Sequence, residues 1–259
     1  MMRTLILFCA APLLAHDLYI VPAKFRVERE ESIPVVLRNG PFPGSLAGPA
    51  LARLRDANVL FTNGSQPITE LAAHPETTTG RALIPHGGNI ILTVRTIPNT
   101  IEMEPDHFTE HLRAEGHDEA LAWRKAHHQE NKPGRERYSK FAKALLLSGK
   151  PSDFYRHRVG FVIEMIPEAN PYESKPGDSL SIQVLYHGRP VAGVLVDTAC
   201  QWRGKATSKV AGRTDGNGRV RVAITSRGLW MLHAVVMERC DEATADWESY
   251  WSSLTFEIQ

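Results

Sequence analysis

The sequence predicts a mainly β fold, two β-sandwich domains with a helical insertion between them, on three observations. Short runs with every second residue apolar recur in both halves, as in Ile33, Val35, Leu37, in Ile90, Leu92, Val94 and in Leu180, Ile182, Val184. Clusters of Gly, Pro and Asn separate them, among them NGPFPG at 39–44 and TDGNGRV at 214–220. Between residues 105 and 149 the texture changes to helix-forming sequence with capping residues. The 259 residues are 42% hydrophobic and 23% charged, a balance that excludes a disordered, collagen-like or coiled-coil chain.

In chain order, residues 1–15, MMRTLILFCAAPLLA, place Arg3 ahead of a short apolar run ending on Ala15, the outline of a secretory signal peptide. The run is shorter than the roughly 20 residues that span a bilayer, and His16 and Asp17 follow at once. Cleavage after Ala15 would leave a formally neutral chain, periplasmic or secreted. Residues 16–104 then form an amino-terminal β-rich domain.

Residues 105–149 form the helical insertion. Its three expected helices are DHFTEHLRAEG, DEALAWRKAHHQ and RERYSKFAKALLLSG, with Asp106 and Asp118 as caps and Gly116 and Gly149 as stops. In the third, Tyr138, Phe141, Ala142 and Leu145 recur at helical spacing, which predicts one inward face. Residues 150–259 form a carboxyl-terminal sandwich of immunoglobulin or prealbumin type, its strands joined by NPYESKPGDS, YHGRPVAG and TDGNGRV. The rings of WESYW near the end read as anchors of the last strand in the core.

Charge and motifs narrow the function. Lys and Arg number 30 against 29 Asp and Glu, so the chain lacks the basic excess a nucleic-acid partner would call for. There is no G-x-S-x-G elbow, P-loop, dinucleotide fingerprint or C-x-x-C pair. Removing the leader leaves Cys200 and Cys240, which in an exported chain read as a disulfide, with two buried thiols as the other reading.

Eleven histidines outnumber the nine Phe and six Tyr. The sharpest is His16, which cleavage would make the amino terminus. A terminal histidine offers its α-amine and its ring Nδ1 to one ion, a chelate that suits Ni, Co, Cu or Zn. Both nitrogens must be deprotonated, so binding should weaken in acid. Further candidate ligands are His107 and His111, four apart on one helix face, and His233, which alternation places with Met231 and Val235 on one side of a strand. The zinc-protease pattern is incomplete, because Glu110 stands directly before His111. His127 and His128 sit where a helix dipole favours them, and the remaining histidines read as surface or turn residues.

Several segments together, AHDLYIVP, RERYSKFAKALL, VIEMIPEANPYESKPGDSLSIQVLYHGRPVAG, TDGNGRV and DWESYWSSLTFE, resemble an exported bacterial domain family of unknown function. That family was formerly grouped with periplasmic components of nickel and cobalt uptake systems. The resemblance implies export, a prealbumin-like carboxyl-terminal domain and transition-metal binding. Its members carry an amino-terminal histidine, which His16 matches. They also carry a histidine late in the strand after the Trp, where this chain has Val236 and where His233 lies three residues away on the other face.

The expected function is therefore a non-enzymatic exported protein that binds Ni, Co or Cu with His16 as a chelating ligand and serves a membrane metal-uptake transporter. Two alternatives stay open: a copper oxygenase in which His16 and a second histidine form a brace, and a metal-free envelope binding or scaffold module.

Overall fold

A computed structural model describes residues 17–259; the expected leader and His16 lie outside the described residues. The amino-terminal half holds β1 (Leu18–Pro22), β2 (Arg26–Val27), β3 (Ser32–Asn39), β4 (Leu54–Phe61), β5 (Gly64–Pro67), β6 (Thr69–Ala73), β7 (Thr77–Leu83), β8 (Gly88–Thr96) and β9 (Asn99–Met103). Helices α1 (Pro105–Ala114) and α2 (Asp118–Ala126) follow, then β10 (Gly134–Ser148) and β11 (Ile163–Pro167). The rest comprises β12 (Ser179–Tyr186), β13 (Arg189–Pro190), β14 (Leu195–Trp202), β15 (Lys205–Arg213), β16 (Arg219–Ala223), β17 (Gly228–Arg239) and β18 (Trp247–Ile258). The mainly β expectation holds.

Alternation did its work where the period is clean. Ile33, Val35 and Leu37 are buried along β3 between exposed or half-exposed neighbours, and Leu180, Ile182 and Val184 do the same along β12. In the turn after β15, Asp215 Oδ1 accepts from the backbone N–H groups of Asn217 and Arg219 at 2.8 and 2.9 Å, which closes the reversal its Asn and Gly residues predicted. Gly116, at φ +72°, ends α1 in the left-handed conformation that favours glycine.

The third expected helix is a strand. Residues 134–148 form β10, fifteen residues long, paired parallel to β18 along one edge and antiparallel to β8 and β9 along the other. Its sequence has helix formers, but its second half is buried at every position, so apolar residues are needed on both faces and the helical spacing of Phe141, Ala142 and Leu145 is incidental. The helical insertion thus shrinks to α1 and α2.

This one strand also changes the layout. Among the described residues the strands form three sheets: β1-β3-β7-β6, a four-stranded sheet around β12, and a ten-stranded sheet whose main path runs β15-β14-β17-β18-β10-β8-β4-β5. The ten-stranded sheet takes strands from both halves of the sequence and joins them at the β10–β18 pair. A continuous apolar cluster, from Leu18 through Leu92 and Leu145 to Phe256, lies between the sheets. A second cluster of Met103, Phe108, Leu112, Ala120 and Trp247 packs the helices on the opposite face of the large sheet.

The expected disulfide does not form. Cys200 pairs across from Trp230 near the start of β17, whereas Cys240 follows its far end, ten residues on, or about 33 Å along an extended strand. Both thiols are free, and Cys200 Sγ lies 3.1 Å from Ser226 Oγ.

Candidate functional site

The face of the large sheet beneath α1 carries a group of buried polar residues at one register level. His233 on β17 stands directly across from Asp197 on β14 and from Ser253 on β18. Trp251, two residues before Ser253, shares that face and pairs with Lys140 on β10. Next to them, Ser249 of β18 and Glu136 of β10 lie fully buried.

Two elements roof this floor. β1 crosses over β18, with Ser253 Oγ donating to the Leu18 carbonyl at 2.6 Å and Thr255 Oγ1 to that of Ile20 at 2.7 Å, which carries Asp17 to the floor's centre. α1 is fixed by Pro105 at its start and by Phe108, His111 and Leu112, which share its inward face at helical spacing. Its last turn and the residues after it bring in His111, Glu115 and His117.

His233 sits between two carboxylates. Its Nδ1 lies 2.5 Å from Asp17 Oδ1 and its Nε2 2.8 Å from Glu115 Oε2, the second an aligned hydrogen bond and the first a charge contact. Burial works against its protonation, but the two carboxylates outweigh it and hold the pKa well above the ordinary histidine value. The paired carboxylates thus favour the imidazolium form of this ring.

A second pair lies beside it. His111 Nε2 approaches Glu136 Oε2 at 3.0 Å, and both side chains are at most 1% exposed. Burial alone would lower the His111 pKa and raise that of Glu136; their mutual attraction, with Ser249 donating to Glu136, reverses both shifts. Trp251 links the pairs. Its ring stacks on His111 at 5.7 Å with 9° between planes and meets His233 at 5.4 Å, while its Nε1 donates to Ser249 Oγ at 2.9 Å.

Burial dominates at the periphery. It pushes the carboxyl of Asp197 up and lowers Lys140 to about 8, where Nζ donates to Asn39 Oδ1 at 2.6 Å. His117 is lowered to about 4, its Nε2 buried and unpartnered.

The sign of the His117 effect is fixed. A folded-state pKa below the unfolded value near 6.5 means that stability is intact above 6.5 and is lost as pH falls toward 4. From pH 7 to 4.5, the His117→Asn variant should therefore gain about 2 kcal/mol on the wild type in urea unfolding. Parallel pH profiles for the two proteins would remove His117 from the account.

A cavity of about 560 Å³ opens over this centre, walled by Asp17, Glu115, Asp197 and His233 at one end and by Phe42 and Trp251 beside them. The carboxylate residues Asp17, Glu115 and Asp197 line it, so a ligand that brings positive charge or electron-pair acceptance suits it. Among the described residues no three His, Cys, Asp or Glu side chains stand close enough to hold a metal ion by themselves.

The candidate ligands separate accordingly. His233 is at the centre, His111 is turned inward onto Glu136, His107 is exposed on the other side of α1, and His16 lies outside the described residues. Sequence reasoning passed over Asp17, Glu115, Glu136, Asp197 and His117. Glu136 had one available signal, a carboxylate inside a run that proves to be strand.

Comparisons with known proteins give the following. A family model described as Domain of unknown function (DUF4198) matches residues 13–238. No curated protein matches the chain. Among solved structures, the D0-D1 domain of Intimin aligns at 13% identity over 94% of this chain and 98% of that one, with a TM-score of 0.24. The Escherichia coli adhesin FdeC aligns at 12% over 94% of this chain and 64% of that one, TM-score 0.27. A DUF4785 family protein from Legionella pneumophila aligns at 10% over 83% of this chain and 50% of that one, TM-score 0.27. Overlap this low carries no argument about what the chain does.

Proposed function

The chain belongs to the DUF4198 family, a domain family of unknown function, and on that premise we propose that it is an exported transition-metal-binding protein, periplasmic or secreted, that takes Ni, Co or Cu at a site joining His16 to His233 and serves a membrane uptake transporter. The fold that carries the site is read as two sandwich-like halves, the second immunoglobulin- or prealbumin-like, sharing the ten-stranded sheet.

One observation carries the reading: Asp17, the first described residue, lies 2.5 Å from His233 Nδ1 at the polar end of the cavity. His16 directly precedes Asp17 in the sequence, and as an amino terminus it would add an amine and an imidazole to the donor types that His233, Asp17, Glu115 and Asp197 supply. Nitrogen donors with flanking carboxylates suit Ni, Co and Cu, and the carboxylates beside His233 would orient its ring. The metal would displace the His233 proton, which Asp17 and Glu115 hold well above the ordinary histidine range, so affinity should fall as pH drops and the fall should begin above that range. Among the described residues no helix is long and apolar enough to cross a membrane.

The test is calorimetric titration with Ni, Co, Cu and Zn on protein exported from the full chain and processed in the periplasm. One extra residue ahead of His16, or His233→Ala, should weaken binding by about 100-fold, near 2.7 kcal/mol. Equal affinity in the extended form would remove His16 from the site, and an intact Ala15 in the mature mass would remove the chelate.

A further inference from the structure

A second pocket, which shares no lining residue with the cavity over His233, gathers positive charge. It holds about 200 Å³ between β1, the loop 48–50 and the large sheet, and its polar lining is Asn39, Arg53, Thr96, Asn99, Tyr138 and Lys140. Among the described residues that line it, none is acidic. Tyr138 of β10 stands across from Asn99 of β9, and Lys140 lies two residues further along the same face. The Tyr138 ring joins the two cations: the Arg53 guanidinium carbon and Lys140 Nζ each lie 5.4 Å from its centroid. Burial and the like charge of Arg53 oppose the Lys140 ammonium, while Asp17 and Glu136 sustain it. Arg53 is half-buried, donates to the Pro98 carbonyl at 3.2 Å and pairs with no carboxylate among the described residues.

The hydroxyls are set to donate. Tyr138 Oη accepts from Asn99 Nδ2 at 3.1 Å, and Thr96 Oγ1 accepts from the backbone N–H of Lys140 at 3.0 Å. Each hydroxyl keeps its own hydrogen for a further acceptor, which neither finds among the described residues. The loop wall is fixed in place. Thr78 Oγ1 donates to the Pro49 carbonyl at 2.6 Å, and Gly48 packs so close to β7 that a Cβ would come within 2.3 Å of the Thr77 carbonyl.

We propose that this pocket binds a small dianionic oxyanion, a phosphate or a short dicarboxylate, independently of any metal at His233. Two cations supply the counter-charge, and the planar fork of Arg53 suits a pair of oxygens. Tyr138 and Thr96 donate to the oxygens that remain. The volume lies below the roughly 300 Å³ at which sites for drug-sized molecules begin, so the ligand is small.

Titration calorimetry on the exported, processed chain, at low ionic strength and neutral pH, uses inorganic phosphate, succinate and acetate as probes. Phosphate or succinate should bind at least about tenfold more tightly than acetate, because only a dianion answers both cations, and the tighter of the two names the class. Arg53→Ala should weaken that binding about tenfold or more, and Tyr138→Phe, which keeps the ring and removes one donor, about threefold. Both side chains are half-buried, so both variants should keep the wild-type circular dichroism spectrum. Dianions that bind no more tightly than acetate, or an Arg53→Ala affinity equal to that of the wild type, would overturn the proposal and leave the metal reading as it stands.

Discussion

Glu164→Ala is expected to lower the unfolding free energy by about 3–5 kcal/mol, among the largest effects of any single substitution in this protein. Lys143 of β10 reaches through the apolar layer to Glu164 of β11 at 2.9 Å, and each side chain is 2% exposed. Glu164 Oε1 also accepts from the backbone N–H of Val159 at 2.7 Å and Oε2 from that of Gly160 at 3.2 Å. Burial pulls the pKa of Lys143 down, and Glu164 is what sustains its charge. Removing the carboxylate leaves an ammonium in an apolar layer without a counter-charge. Lys143→Met should cost less, because the buried Glu164 carboxylate keeps the backbone N–H donors of Val159 and Gly160. The double variant should recover most of what Glu164→Ala loses, since no buried charge remains. Urea unfolding of the three proteins checks this; a loss below about 1 kcal/mol in Glu164→Ala would show that the pair is not buried as described.

Gly134→Ala should cost about 3 kcal/mol and damage the candidate site as well. A Cβ at this position would come within 2.1 Å of Phe108 Cδ1 and 2.2 Å of its Cγ. The Phe108 ring has no room to yield. It is fully buried in the helix-covering cluster, and the guanidinium of Arg124 lies 4.9 Å over its face. The relief left is to lift α1 from the sheet, and His111 and Glu115 go with it, away from Glu136 and His233. The variant should lose stability in urea and show changed tryptophan emission as Trp251 loses its stacked imidazole. Gly149→Ala is the contrast: φ is +66° but nothing lies within 4 Å, so only backbone strain of about 1 kcal/mol is expected, with emission unchanged. Similar emission spectra for both variants would break the link between the Gly134 contact and the site.

The residues of the candidate site were only partly readable from sequence. His233 and His111 stand out by type, and the alternation around Leu232 correctly assigned the His233 face. The helical spacing of Phe108, His111 and Leu112 was equally readable, though not what His111 turns toward. The partners were not readable, because Asp17, Glu115, Glu136 and Asp197 come from a strand start, a helix end and two other strands. What brings them together is register: Asp197 across from His233, and Trp251 level with Lys140. The segment 135–149 was misread for a related reason. Local propensity there favours helix, but the strand is covered on both faces and paired on both edges, and these long-range contacts outweigh it.

By itself the sequence determined the β character, the turns, the two short helices and the family. Those features follow from local periodicity and residue chemistry, which need no distant partner. Only the tertiary structure decided that β10 and β18 join the halves in one sheet, that the two cysteines lie at opposite ends of β17, and that His233 is clasped by Asp17 and Glu115. Pairing between residues more than a hundred positions apart is set by the packing of whole sheets, and no local pattern encodes it.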